Sequence, residues 1–265
     1  MKSTKLRREK AEPPKGSGNL ALTAMKVVFL NSWIGKAGPA FFEFIKKESK
    51  DADILALQEV NPNILKKLSP YLKDFSHVYD KGGNYKNDEY GQAVFVRKPL
   101  KISSYSKIFP YEKDKRGYGD LGFLQVIEIE KLDLALGGLQ GKTLPGNKLD
   151  TKARLKQTEI ILETFRDHKD KRPVIIGGDF NLLPETKCIA MMEQGGYTNL
   201  IKDFKIERTR NKLAWDQFRK KRGRFFEKQN YADYVFVNNK VKVLDFKVPK
   251  NEVSDHLPMI LEFTL

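Results

Sequence analysis

Three short stretches carry side chains able to do chemistry: Leu57-Gln58-Glu59-Val60, Gly177-Gly178-Asp179-Phe180-Asn181 and Ser254-Asp255-His256. Each sets carboxylate, amide or imidazole groups against an apolar run. Together they hold the parts of a Mg²⁺-assisted phosphoester hydrolase. One acid holds a metal, one takes a proton from water, and a histidine stabilises charge on the phosphoryl group.

Glu59 closes an almost wholly apolar strand, where a carboxylate beside a cleft suits Mg²⁺, an ion that wants oxygen ligands. Asn31 ends an earlier strand in the same manner and can offer a carbonyl oxygen or orient the acid. Asp179 and Asn181 stand two apart, a spacing that on extended backbone turns both to one cavity. His256 is one of 3 histidines, and Asp233, in Tyr231-Ala232-Asp233-Tyr234, is placed to fix its tautomer. Each position also has a plainer reading: a surface charge at Glu59, turn formers at Asn31 and Asp233, an Asx turn at Asp179, a structural histidine at His256.

The elements that must position these groups read as alternating strands and helices. Strands are expected at Lys26–Asn31, Asp53–Gln58, Gln92–Arg97, Leu121–Glu130, Leu132–Leu139, Pro173–Ile176, Tyr234–Val237, Val241–Phe246 and Pro258–Phe263. Gly38-Pro39 opens a helix through Ser49, with Phe41, Phe42 and Ile45 on its buried face. Asn61 caps a helix with Pro62 at its first position. Asp150-Thr151 caps a long helix to about His168. Residues 80–90 read as a polar loop and residues 202–230 as charged and irregular. No internal repeat shows at a fixed period. Strands outnumber helices, a pattern that suits two sheets packed face to face with helices outside.

The 265 residues suffice for one large α/β domain. The single cysteine, Cys188, excludes an internal disulfide and reads as a buried thiol on an amphipathic helix, which fits a reducing cytoplasm. No apolar run approaches the roughly 18 residues of a membrane span. The formal charge is +15, of which +4 lies in residues 1–15 and +7 in residues 202–228. Residues 1–24 read as a disordered basic leader and 25–265 as the folded domain. The concentrated charge favours an anionic partner such as nucleic acid, against the alternative of a lysine-rich soluble surface. Trp215, Phe218, Phe225 and Phe226 interleave the second basic segment, either to stack on bases or to anchor it to the core. A monomer is the expected form.

Taken in order, Leu30-Asn31, Leu57-Gln58-Glu59-Val60, Gly178-Asp179-Phe180-Asn181, Ala232-Asp233-Tyr234 and Ser254-Asp255-His256 resemble the endonuclease/exonuclease/phosphatase superfamily. The resemblance runs from about Met25 almost to the C-terminus. It implies an α/β four-layer sandwich, with two mostly antiparallel sheets and the site at one end of them. It implies Mg²⁺ or Mn²⁺ on Glu59, with Asn31 and Asp255 nearby. Asp179 then activates water, Asn181 orients phosphate or nucleophile, and His256, held by Asp233, stabilises the phosphate side. One position departs: Gln140 stands where many members carry histidine or tyrosine, and an amide cannot shuttle a proton near neutral pH. Residues 148–154 and Thr209-Arg210 resemble a bacterial subgroup, which places Arg154 and Arg210 either near substrate phosphate or in surface salt bridges.

The first expectation is thus a metal-dependent phosphodiesterase acting on DNA or other nucleic acid. The second is a phosphatase or phosphodiesterase on a small or lipid-linked phosphate. The third is a catalytically weakened nucleic-acid-binding module, supported by Gln140.

Overall fold

The computed structural model describes residues 24–85, 88–110, 121–223 and 227–265. The expected leader, except residue 24, and the aromatic pair Phe225 and Phe226 lie outside them. Two six-stranded mixed sheets carry the molecule. The first half of the chain supplies β1 (Met25–Asn31), α1 (Pro39–Glu48), β2 (Ile54–Val60), α2 (Pro62–Leu68), β3 (Phe75–Tyr85) and β4 (Asp88–Arg97). Next come β5 (Ile102–Ile108), β6 (Leu124–Ile129), β7 (Leu134–Gln140), α3 (Lys152–Thr164), α4 (Arg166–Lys169), β8 (Val174–Asp179) and α5 (Lys187–Gln194). The chain continues through β9 (Thr198–Asn199), α6 (Leu200–Asp203), α7 (Lys212–Arg222), β10 (Asp233–Val237), β11 (Lys242–Lys247) and β12 (Met259–Thr264).

The first sheet runs β11-β12-β1-β2-β4-β3 and the second β5-β6-β7-β8-β10-β9. Each contains one parallel pair, β1 with β2 and β7 with β8, among antiparallel neighbours. The two sheets therefore repeat one pattern, the first being read from β11. No sequence period betrays this, because the repeat is circularly permuted along the chain.

Period-two alternation sorts each central strand between two layers. Val27 and Phe29 of β1, with Ala56 of β2, join the core between the sheets. Val28, Leu30, Leu55 and Leu57 pack on the other face with Phe41 and Ile45 of α1 and Ile64 and Leu68 of α2. On the second sheet, Ile161 of α3 and Cys188, Ile189 and Met192 of α5 close the outer side. Gly177 lets the sheets meet closely, since a Cβ there would lie 2.7 Å from the Phe29 ring. Gly178 has φ +130°, backbone that excludes a side chain, and a Cβ would lie 2.2 Å from the Leu139 carbonyl oxygen. Thus Gly178 serves the turn and Gly177 the approach of the sheets.

Several local expectations need correction. Residues 80–85 and 88–90 are strand and not loop: β3 and β4 pair antiparallel from Phe75↔Arg97 to Tyr85↔Asp88. Backbone pairing holds this ribbon where the side chains show little apolar alternation. The segment 202–230 contains α7, whose cap Asn211 accepts from the Leu213 N–H. Buried in α1 are Phe41, Phe44 and Ile45, while Phe42 is only half-buried. The long helix stops at Thr164, and its buried face is largely polar: Arg154, Gln157, Thr158 and Ile161. Strand β5 has no counterpart in the sequence reading. Among the described residues no helix is long and apolar enough to cross a membrane.

Candidate active site

The ends of β1, β2, β7, β8 and β10 converge at one edge of the paired sheets, and the segment before β12 joins them. Asn31 and Gln140 end the first strand of each parallel pair. Both donate to Glu59 Oε1, Asn31 Nδ2 at 3.1 Å and Gln140 Nε2 at 3.0 Å. Glu59 sits where the β2–β4 register shifts, at φ +54°, so a bulge aims its side chain. Asn31 Nδ2 also donates to Asp179 Oδ2 at 3.1 Å, while its Oδ1 accepts from the Trp33 N–H at 3.0 Å. That backbone bond fixes the amide: Asn31 turns its nitrogen, not its oxygen, to the acids, and so orients them.

Asp179 Oδ1 accepts from the Asn181 N–H at 2.9 Å. This is the Asx turn, and it coexists with a shared cavity. Asn181 has φ +54°, so the two side chains meet through a turn and not along extended backbone. Asn181 Oδ1 accepts from Lys148 Nζ. His256 Nδ1 lies 2.8 Å from Asp233 Oδ1, and Nε2 lies 3.7 Å from Asp179 Oδ2. Thr209 Oγ1 accepts from the N–H groups of Ala232 and Asp233, which secures the turn into β10. Glu59, Asp179 and His256 are therefore gathered in one cluster, the two acids bridged by Asn31 and the ring beside Asp179.

The two arginines part company. Arg210 is buried against the site: Nη1 lies 2.7 Å from His256 Nε2 and Nη2 donates to Asp255 Oδ2 at 2.9 Å. Arg154 is fully buried, with Nη1 on the Leu149 carbonyl, Nη2 on those of Thr143 and Pro145, and Nε on that of Lys142. It fastens the loop before α3, because a buried guanidinium must satisfy its N–H groups and all three of its nitrogens find carbonyls here. Gln140 likewise spends its Nε2 on Glu59, not on an open phosphate position. His77 stacks on Phe95 and His168 pairs with Glu128, both away from this cluster.

Burial dominates the electrostatics. It lifts the Glu59 carboxyl to about 7, with Asp255 adding repulsion. Asp233 is raised chiefly by burial, against the pull of His256. Burial and Arg210 depress the His256 ring, yet Asp233, Asp255 and Asp179 outweigh them and raise it overall. The close Arg210 contact demands the opposite, an unprotonated Nε2 accepting while Nδ1–H donates to Asp233. An anionic oxygen between the two would let both donate.

A divalent cation fits this chemistry. Glu59 Oε2 has no hydrogen-bond partner among the described residues, and burial with the repulsion of Asp255 raises the carboxyl despite His256, a balance that a bound cation would reverse. Asp255 keeps Oδ1 free of the arginine, though Oδ2 is held by Arg210 and by Gln217 of α7. Asp179, Asp233 and His256 also form a group whose ligand atoms lie within 4.8 Å of one another. Lys148 and Thr209 stood in stretches already singled out, but sequence reasoning gave them no role, and it missed Gln217 and the cap Asn211. Only Asn211-Lys212-Leu213 carried a local signal, that of a helix start.

Compared with known proteins, residues 28–256 match the model of a family described as Endonuclease/Exonuclease/phosphatase family. Among solved structures, an endonuclease/exonuclease/phosphatase family protein from Bacteroides thetaiotaomicron superposes with a TM-score of 0.69 at 16% identity, over 92% of this chain and 98% of that one. A mannosyl-6-phosphatase of Bacteroides thetaiotaomicron gives 0.65 at 16% identity, over 91% and 100%. TDP2 of D. rerio, complexed with a single strand DNA product, gives 0.69 at 15% identity, over 92% and 100%. At such identities the likeness is one of fold. Among curated proteins none matches the chain.

Proposed function

The chain belongs to the Endonuclease/Exonuclease/phosphatase family, and from that premise we propose that it is a divalent-metal-dependent phosphodiesterase cleaving nucleic acid by water attack on phosphorus. The observation that carries this reading is the meeting of Glu59, Asp179 and His256 in one cluster. Glu59, with Asp255 beside it, would hold Mg²⁺ or Mn²⁺; when bound, the ion supplies positive charge to phosphoryl oxygens. Asp179, held by Asn31 and the Asn181 N–H, takes the proton from water. Asn181 orients the phosphate or the nucleophile. Arg210 and His256 receive the phosphoryl oxygens, and Asp233 keeps the imidazole turned toward them. Nucleic acid is the favoured substrate because α7, which reaches the site through Gln217, carries exposed Arg219, Lys220 and Lys221. The DNA product bound to one structural neighbour is in keeping with this.

A phosphatase acting on a small phosphate is the second reading, favoured by the fold shared with the mannosyl-6-phosphatase. A panel of abasic duplex, single and double strands, inositol phosphates and a chromogenic diester, with and without Mg²⁺ or Mn²⁺, decides between them. We expect diester cleavage only with metal. Asp179→Asn should lower the rate by about 10²- to 10⁴-fold with the fold retained. Turnover insensitive to chelator would end the metal mechanism.

A further inference from the structure

The hydrogen bonds of the site form a single path. Gln140 and Asn31 donate to Glu59, Asn31 to Asp179, the Asn181 N–H to Asp179, and Lys148 to Asn181. At one end stands a carboxylate without a cation. At the other stands Lys148, an ammonium hydrogen-bonded to an amide oxygen and to no carboxylate among the described residues. Lys148 is only 5% exposed, so water does not solvate it well. Its Nζ carries three N–H bonds. Among the described residues Asn181 Oδ1 is its only acceptor, and no carboxylate lies within ion-pair distance. Burial holds the amine down to about 8 against the more distant pull of Asp179 and Asp233, with Arg210 adding repulsion.

Backbone bonds keep this lysine in place: its N–H donates to the Pro145 carbonyl and its carbonyl accepts from the Leu183 N–H. Lys148 shares a cavity of about 10 Å³ with Arg210, Trp215, Gln229 and one carboxylate, Glu227, which is not within ion-pair distance of it. That space admits one water-sized group and no ring. Orienting Asn181 would need only a neutral donor. A buried positive charge is costly unless an anion meets it.

We propose that Lys148 is a further substrate-contacting residue, holding a non-bridging oxygen of the phosphoryl group at the end of the path away from Glu59. The inference rests on the phosphoesterase reading above and assigns that site a protein cation of its own, besides the arginine and histidine. It also gives the site a further source of phosphoryl neutralisation where Gln140 cannot transfer a proton.

The test is titration of inorganic phosphate, followed by calorimetry, into wild type, Lys148→Met, Lys148→Gln and Lys148→Arg, each with and without Mg²⁺. Lys148→Gln keeps a donor for Asn181 but no charge. The expected result is a phosphate affinity about 10- to 100-fold weaker in the Met and Gln variants, the worth of one charge-assisted hydrogen bond, and partly restored in the Arg variant. Equal affinity in wild type and Lys148→Gln, both melting cooperatively, overturns the proposal, as does a wild type that binds no phosphate. If Lys148→Met fails to fold, Lys148→Gln and Lys148→Arg decide by the same criteria. Lysine-dependent phosphate binding in a wild type that cleaves nothing on the panel would overturn the phosphoesterase reading and leave the phosphate contact standing.

Discussion

His256 receives opposing demands: three carboxylates favour its protonation, while Arg210 lies 2.7 Å from Nε2 and requires a lone pair there. A phosphoryl oxygen accepting from both nitrogens would relieve that conflict, so the pair is suited to an anion. Lys148 shows the matching cost. Its folded value of about 8 lies below the ordinary 10.5, so between those values the unfolded chain binds the additional proton. Stability therefore rises with pH across this window, and at pH 7 the buried ammonium destabilises the fold. Lys148→Met should accordingly be more stable than wild type at pH 7, by up to about 3 kcal/mol, with the advantage fading by pH 10.5. Thermal melts across pH 7–10.5 check this, and an advantage that does not change with pH would contradict it. Glu59, Asp179 and His256 were legible in the sequence because each adjoins an apolar strand, a local pattern. Lys148 and Arg154 were not: whether a loop cation ends up buried, and against carbonyl or carboxylate, depends on segments far away along the chain.

At the level of elements, α7 is the piece that a charge count obscured. Its exposed cations made residues 202–230 read as irregular, whereas Asn211 caps the helix and donates through Nδ2 to the Ser254 carbonyl at 2.7 Å. One side chain thus joins the helix to the segment bearing Asp255 and His256. Trp215 Nε1 donates to the Gln229 carbonyl, so this aromatic anchors the helix. Asn211→Ala should cost about 2 kcal/mol, one cap and one buried hydrogen bond, and lower the melting temperature by roughly 4–8 °C. Activity should fall with it, since Gln217 and Arg210 would lose their seat on Asp255. Melting curves and steady-state rates measure both, and unchanged values would separate α7 from the site. The β3–β4 ribbon was hidden for a different reason. Its far end is polar on both faces, and ladder pairing between strands leaves no mark on composition.

Across the whole molecule, two equivalent sheets each lend an amide from the same place in their pattern, Asn31 and Gln140, to one oxygen of Glu59. The sandwich was foreseeable from strand count and motif order, but the permuted repeat was not, for it lies in pairing alone. Part of the formal charge of +15 is likewise placed by the fold, with Lys220 and Lys221 exposed on α7. If nucleic acid is the substrate, Lys220→Gln with Lys221→Gln should flatten the slope of log affinity against log salt by about 1.4–1.8. A slope identical to wild type would remove these lysines from the interface and favour the small-phosphate reading. The strand β12 is added late in the chain, yet it lies beside β1, and Asp255 and His256 arrive with it. A polypeptide whose translation stops short of Ser254 therefore displays Glu59 and Asp179 but lacks the imidazole and leaves β1 with an open edge. Docking of β12 is what completes the constellation: until it pairs with β1, the Asp233 carboxylate has no ring to hold.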